Sequence, residues 1–184
     1  MNKIFYRIKE YKNLEYILIS IILLLGFIVR LYKINNPIAD WHSWRQADTA
    51  SVSRTYVERG VDLLYPRYHD ISTTQTRFFN PEGYRYVEFP LLNAFHAVIA
   101  GTFPFFSLEL WARLTSVIAS VISIYLIYLI GKSLIGIKVG ILSSFFYAFL
   151  PFNIYFTRVI LPEPTATMFA LLSLWFFISY TRKD

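Results

Sequence analysis

A chain of 184 residues with 55% hydrophobic, 19% aromatic and only 16% charged side chains is far from the balance of a soluble domain, and it reads as an integral membrane protein. The formal charge of +6 does not point to nucleic acid, because Lys and Arg flank apolar runs and form no basic stripe. With no cysteine, disulfides, a thiolate nucleophile and Cys-ligated metal are excluded.

Lys3, Arg7, Lys9 and Lys12 precede the first apolar core as they would in a signal peptide, but no small-x-small cleavage site follows Val29. An uncleaved first span over 14–32 is predicted, with Glu15 and Arg30 turning their charges outward so that the uncharged 16–29 core reaches spanning length. Residues 33–88 are too polar for lipid and too long for a bare connector, so an outer loop with structure of its own is predicted. Within it, Ser43 followed by Gln46 fits a capping box, and 44–59 holds helix formers up to Gly60, a fitting C′ residue. Trp41, Trp44, Val52 and Tyr56 would form the membrane-facing side of that helix. Asn80-Pro81-Glu82-Gly83 reads as a turn, and 84–88 as a short extended piece.

Residues 89–108 have spanning length but contain Pro90, Asn93, His96, Gly101 and Pro104. Charge parity decides their place. If they crossed, and the basic N-terminus were cytoplasmic, both the 132–138 loop and the Arg182-Lys183 tail would fall outside, against the positive-inside rule. A juxtamembrane or re-entrant helix is therefore predicted, followed by spans over 114–131, 139–157 and 164–181. In this arrangement the multi-pass chain has its N-terminus in the cytoplasm, and Asp40 and Glu163 share the outer side.

The polar candidates gather at membrane edges. Asp40 suits a helix N-cap or a catalytic carboxylate, and the two roles are compatible. Glu163 either complements the dipole of a helix begun by Pro164 or joins Asp40 in a site. Arg45 and Asp48, one helical turn apart, pair with each other on a solvated face or contact substrate, Arg45 through a phosphate. Arg158 is an interfacial anchor or a second phosphate ligand, and Glu88 an edge carboxylate held by a neighbouring Arg or part of the site. His42 and His69 are weak candidates for metal or phosphate contact, and without a spaced partner no metal site is expected. His96 is expected to be hydrogen-bonded within the bundle. No Gly-rich phosphate loop, Walker pattern or Ser-His-Asp order occurs.

A basic N-terminus, one span, and Asp40 opening the run His42-Ser43-Trp44-Arg45-Gln46-Ala47-Asp48-Thr49-Ala50 form a familiar arrangement. With Leu64-Tyr65-Pro66, Glu88-Phe89-Pro90, Arg113-Leu114, Gly131-Lys132, Pro151, Arg158 and Pro162-Glu163, the chain resembles bacterial GT-C glycosyltransferases of the dolichyl-phosphate-mannose protein mannosyltransferase-like family over nearly its whole length. The resemblance implies an all-α integral membrane fold, here the N-terminal part of a GT-C-type helix bundle with juxtamembrane helices in a large first outer loop. It implies transfer of a sugar from a polyprenyl-phosphate-linked donor to a glycan, lipid or protein acceptor on the outer face of the bacterial inner membrane, with inversion. The family's catalytic base then falls on Asp40, and its second acidic role, organising acceptor or donor phosphate, on Glu163. Two departures bear on substrate identity. Protein mannosyltransferases proper have an Asp-Glu pair where this chain has Asp40-Trp41, and aminoarabinose transferases have Lys-Pro where it has Phe89-Pro90.

The leaving phosphate needs cations such as Arg45 or Arg158, with His42, Asp48 and Glu88 beside them, or a divalent ion that the sequence neither demands nor excludes. No other cofactor and no nucleic-acid partner is expected. Because family members carry more spans and a long C-terminal portion, the 184-residue chain is expected to be an N-terminal piece, inactive in isolation. The competing class is a non-catalytic module of a lipid-linked glycan transporter, for which ionisable residues near mid-span would be expected.

Overall fold

The computed structural model describes residues 2–38, 40–73 and 77–182, with side chains from residue 13 onward. Among these the protein is an all-α membrane helix bundle: seven helices and no strand, with one isolated antiparallel bridge between Arg67 and Tyr84. The chain divides into two compact units, a membrane unit of residues 1–32, 117–158 and 163–184 and a loop unit of residues 33–116 with 159–162.

In the membrane unit, α1 (Asn2–Arg30), α4 (Leu108–Leu134) and α7 (Glu163–Thr181) contain the three stretches that, among the described residues, are long and apolar enough to cross a membrane. The stretch in α1 is Asn13–Arg30, and α4 begins within the loop unit. The 139–157 segment is two helices, α5 (Ile137–Phe149) and α6 (Pro151–Phe156), divided at Leu150. Pro151 has no N–H for the carbonyl four residues earlier and its ring crowds that carbonyl, so one helix stops and the next starts on proline. The loop expected over 132–138 shrinks to Ile135 and Gly136, since α4 runs to Leu134 and α5 starts at Ile137.

A close approach holds α4 against α5. A Cβ on Gly140 would lie 2.6 Å from the Tyr128 carbonyl oxygen and 2.9 Å from the Lys132 nitrogen, so glycine is what lets the two backbones meet. Ile22, Ile124 and Ala148 form the core where α1 joins this hairpin. Glu15 and Arg30 do not turn outward as the sequence predicted: they are 5% and 0% exposed. Glu15 accepts from the Tyr128 hydroxyl and the Lys132 ammonium. A charge in hydrocarbon is costly unless partnered, and pairing inward meets that need as well as reaching for water does.

The loop unit is built on α2 (Ser43–Arg59) packed against α3 (Leu91–Thr102). Val52, Tyr56, Tyr68 and Ala97 form one apolar cluster, and Ala50, Ala112 and Ile160 another. The membrane-facing side expected of Trp41, Trp44, Val52 and Tyr56 does not form as one face: Val52 and Tyr56 are core residues at 4% exposure each, while Trp41 and Trp44 are exposed. At 12 residues α3 is about 18 Å long, short of the roughly 30 Å of hydrocarbon a span must cross.

Gly60 ends α2 as predicted, at φ 90 with its N–H on Tyr56 O. The capping box does not form. His42, at φ 56, is the N-cap and makes no side-chain cap bond, while the Gln46 amide turns to Asp40 instead. The 80–83 turn forms, with Asn80 Oδ1 accepting from Tyr84 N at 2.9 Å. Gly83 sits at φ 66, and a Cβ there would strike the Tyr68 carbonyl at 2.4 Å.

Candidate functional site

The short segment entering α2 presents the carboxylate singled out in the sequence. Asp40 is half-buried, and its Oδ1 accepts from Gln46 Nε2 at 2.8 Å. The same amide nitrogen donates to Trp41 O at 3.2 Å, while Gln46 Oε1 accepts from the Ile160 N–H at 3.3 Å. Gln46 is 0% exposed, so both ends of a buried carboxamide are satisfied within the protein. It ties the Asp40 turn to residues 159–162, the stretch that leads along the chain into Glu163. Oδ2 of Asp40 has no hydrogen-bond partner among the described residues. A carboxylate fixed by one oxygen and open at the other is suited to take a proton from a bound hydroxyl.

Arg45 and Asp48 do not pair with each other. Arg45 pairs with Glu88, and Asp48 with Arg85 at 3.0 Å. Both reach from α2 to residues 84–88, where Tyr84 makes a single bridge to Arg67 and Val87 and Glu88 form a bend, and this holds them better than a one-turn contact open to solvent. The two pairs differ in setting. Arg85 and Asp48 have side chains only 7% and 12% exposed, and the Arg85 guanidinium lies 5.1 Å from the Tyr68 ring centroid. Arg45 and Glu88, at 21% and 38%, stay in reach of solvent and of a ligand.

The histidines are spread. His42 is exposed beside the Trp41 ring, at 6.3 Å between centroids. His69 is held by Ser51 Oγ at 2.7 Å and faces Glu58 at 3.5 Å. His96 is 1% exposed, with Nδ1 3.4 Å from Ser53 Oγ and Nε2 without a partner; burial pushes its pKa down to about 4. The expected hydrogen bond within the fold is therefore present at one nitrogen. Among the described residues no group of three or more His, Asp or Glu side chains gathers as metal ligands would.

A polar cleft of about 550 Å³ opens on the face of α2 bearing Ala47, Ala50, Ser51 and Arg54, with Asn36 and Glu109 on its walls. Arg54 pairs with Glu109, and Arg113 fixes the adjoining turn by donating to the carbonyls of Ile34 and Asn36.

In the membrane unit, Arg158 follows α6 and donates to the Tyr32 carbonyl, lying over the rings of Tyr32 and Tyr155 at 5.8 and 5.6 Å. Glu163 is exposed and opens α7 immediately before Pro164, where a carboxylate complements the helix dipole.

The sequence model of the dolichyl-phosphate-mannose-protein mannosyltransferase family matches residues 90–184, just over half of the chain. The chain belongs to this family. It is accordingly a GT-C-type membrane glycosyltransferase in its general class, and its membrane-length helices agree with that. No curated protein and no solved structure matches the chain.

The mannosyltransferase-family match takes in Arg158 and Glu163 but stops short of Asp40, Arg45, Asp48 and Glu88. Two residues that shape the site went unrecognised in the sequence. Gln46 was expected as a capping residue and Arg85 only as part of the extended piece over 84–88, although its alternation with Tyr84 and Tyr86 marks an inward position there.

Proposed function

We propose that this mannosyltransferase-family chain transfers a sugar from a polyprenyl-phosphate-linked donor to a hydroxyl acceptor on the outer face of the membrane. Inversion occurs at the anomeric carbon, with Asp40 as general base. The observation that carries the proposal is the tether on Asp40: Gln46, itself fully buried, holds Oδ1 at 2.8 Å and leaves Oδ2 open. An acceptor hydroxyl is a weak nucleophile until its proton has somewhere to go. A positioned carboxylate takes that proton as the oxygen bonds to C1, while the C1–O bond to the phosphate breaks. The lipid phosphate leaves with its negative charge, which needs cations. Arg45 or Arg158 is assigned to it, Arg45 by exchanging its half-exposed Glu88 partner for phosphate oxygens. Glu163 takes the family's second acidic role in organising acceptor or donor.

Asn at position 40 separates a base from a structural carboxylate. Asp40→Asn keeps an Oδ1 acceptor for Gln46 and nearly the same shape, but cannot take the proton. With polyprenyl-phosphate-mannose and polyprenyl-phosphate-glucose supplied to the full chain in nanodiscs, release of polyprenyl phosphate should fall about 10²- to 10⁴-fold. Thermal stability and donor binding should hold. Near-parental turnover by the Asn variant would remove Asp40 from the chemistry.

A further inference from the structure

The division between α5 and α6 leaves carbonyls without helical donors. The amide four residues after Tyr147 belongs to Pro151, which has no N–H. The next ladder begins afresh with Ile154 N on Leu150 O at 3.0 Å, so Ala148 O is also left at a helix end.

Arg30 of α1, 0% exposed, fills that gap. Its Nη1 donates to Ala148 O at 2.9 Å and to Gly26 O at 2.8 Å, and its Nη2 to Tyr147 O at 3.4 Å. Its Nε donates to Thr157 Oγ1 at 2.8 Å, just past the end of α6. Thr157 Oγ1 in turn donates to Asn153 O, and Asn153 Nδ2 adds a bond to Tyr147 O at 3.2 Å. One guanidinium thus grips the end of α5 and the end of α6, on either side of the break. The neighbouring residue reverses the direction: Arg158 reaches from α6 back to the Tyr32 carbonyl beyond α1. An arginine serving only as an interfacial anchor would point its charge to water. Arg30 points inward and gives its donors to the break.

We propose that Arg30 is a positioning residue of the transfer reaction: by holding the α5–α6 break at one angle it sets where Arg158 is presented. Planarity matters here, because the donors of a guanidinium leave in fixed directions and can bridge two helix ends at once, whereas an ammonium is a point charge. This inference rests on the transferase reading above and adds a residue to it that touches no reacting atom.

A second substitution separates positioning from bare structural support. In Arg30→Met/Pro151→Ala the amide of residue 151 returns and Tyr147 O regains a helical donor, so the segment folds as one continuous helix without Arg30. Cysteines at Ile137→Cys and Phe152→Cys, in a chain with no native cysteine, carry spin labels for distance measurement. One straight helix would separate these positions by about 22 Å. The expected result is that the native chain gives a narrow distribution at another separation, while the double variant moves to the straight-helix value. Its transfer from polyprenyl-phosphate-mannose should stay about 10²-fold down, the typical cost of a reactant misplaced by about 1 Å. Arg30→Lys should not restore the native rate. If the double variant regains native transfer, or if Arg30→Met alone leaves both distance and rate unchanged, the proposal is overturned. If the full-length protein shows no transfer from any polyprenyl-phosphate sugar, the transferase reading fails, and the distances still report whether Arg30 sets the break.

Discussion

Gln46 lies one turn into α2, where a capping box would use it, yet its carboxamide is buried and turned to Asp40 and to Ile160, 114 residues away. Asp40 stands out in the sequence as a candidate because it lies between an apolar run and a polar helix. Its holder does not, because the partner that draws Gln46 inward is distant in the sequence. The same holds for Asp48, whose visible neighbour Arg45 lies on its own helix and whose actual partner Arg85 lies beyond a turn. His96 was legible as an internal histidine and offers a residue-scale prediction. Burial lowers its pKa from 6.5 to about 4, so between those values the unfolded chain binds a proton that the folded chain does not. Stability from this group is complete above pH 6.5 and is lost as pH falls toward 4. The melting temperature of the native chain should therefore decline more steeply over that window than that of His96→Gln, which keeps a polar partner for Ser53. Parallel curves would show that His96 does not titrate in this way.

Among the elements, apolar runs located the helices well and their ends poorly. The uncharged stretch 114–131 sits inside a 27-residue α4, because Trp111, Ala112 and Leu108 continue the helix on the loop-unit side and Lys132 on the other. The division of 139–157 was written in Pro151, but an uninterrupted apolar composition hid it. The orientation of these helices rests on charge: the two-residue α4–α5 turn lies between Lys132 and Lys138, and basic short loops favour the cytoplasm. Ile135 in that turn is 75% exposed and Ile71 of the loop unit 61%, so a cysteine placed at either is open to reagent. In intact cells an impermeant thiol reagent should label Ile71→Cys and spare Ile135→Cys. The reverse pattern would invert the topology and put Asp40 on the wrong side for the proposed reaction.

At the scale of the whole molecule, the chain separates into a membrane unit that holds most of the apolar helical length and a loop unit that carries the half-buried Asp40. Composition alone separated this chain from soluble enzymes and nucleic-acid binders, and the family match supplies the class of reaction. Neither distinguishes a carboxylate that takes a proton from one that attacks the sugar, since both would stand beside C1. Stereochemistry does. Direct displacement by an acceptor oxygen, assisted by a general base, inverts the anomeric carbon, whereas a covalent glycosyl-carboxylate intermediate retains it through two displacements. The decisive measurement is the anomeric configuration of the transferred sugar, read by NMR after the full chain in proteoliposomes has used a polyprenyl-phosphate-mannose of known configuration. The product should carry the opposite configuration to the donor; retention would contradict Asp40 as a base and make a carboxylate nucleophile the mechanism to pursue.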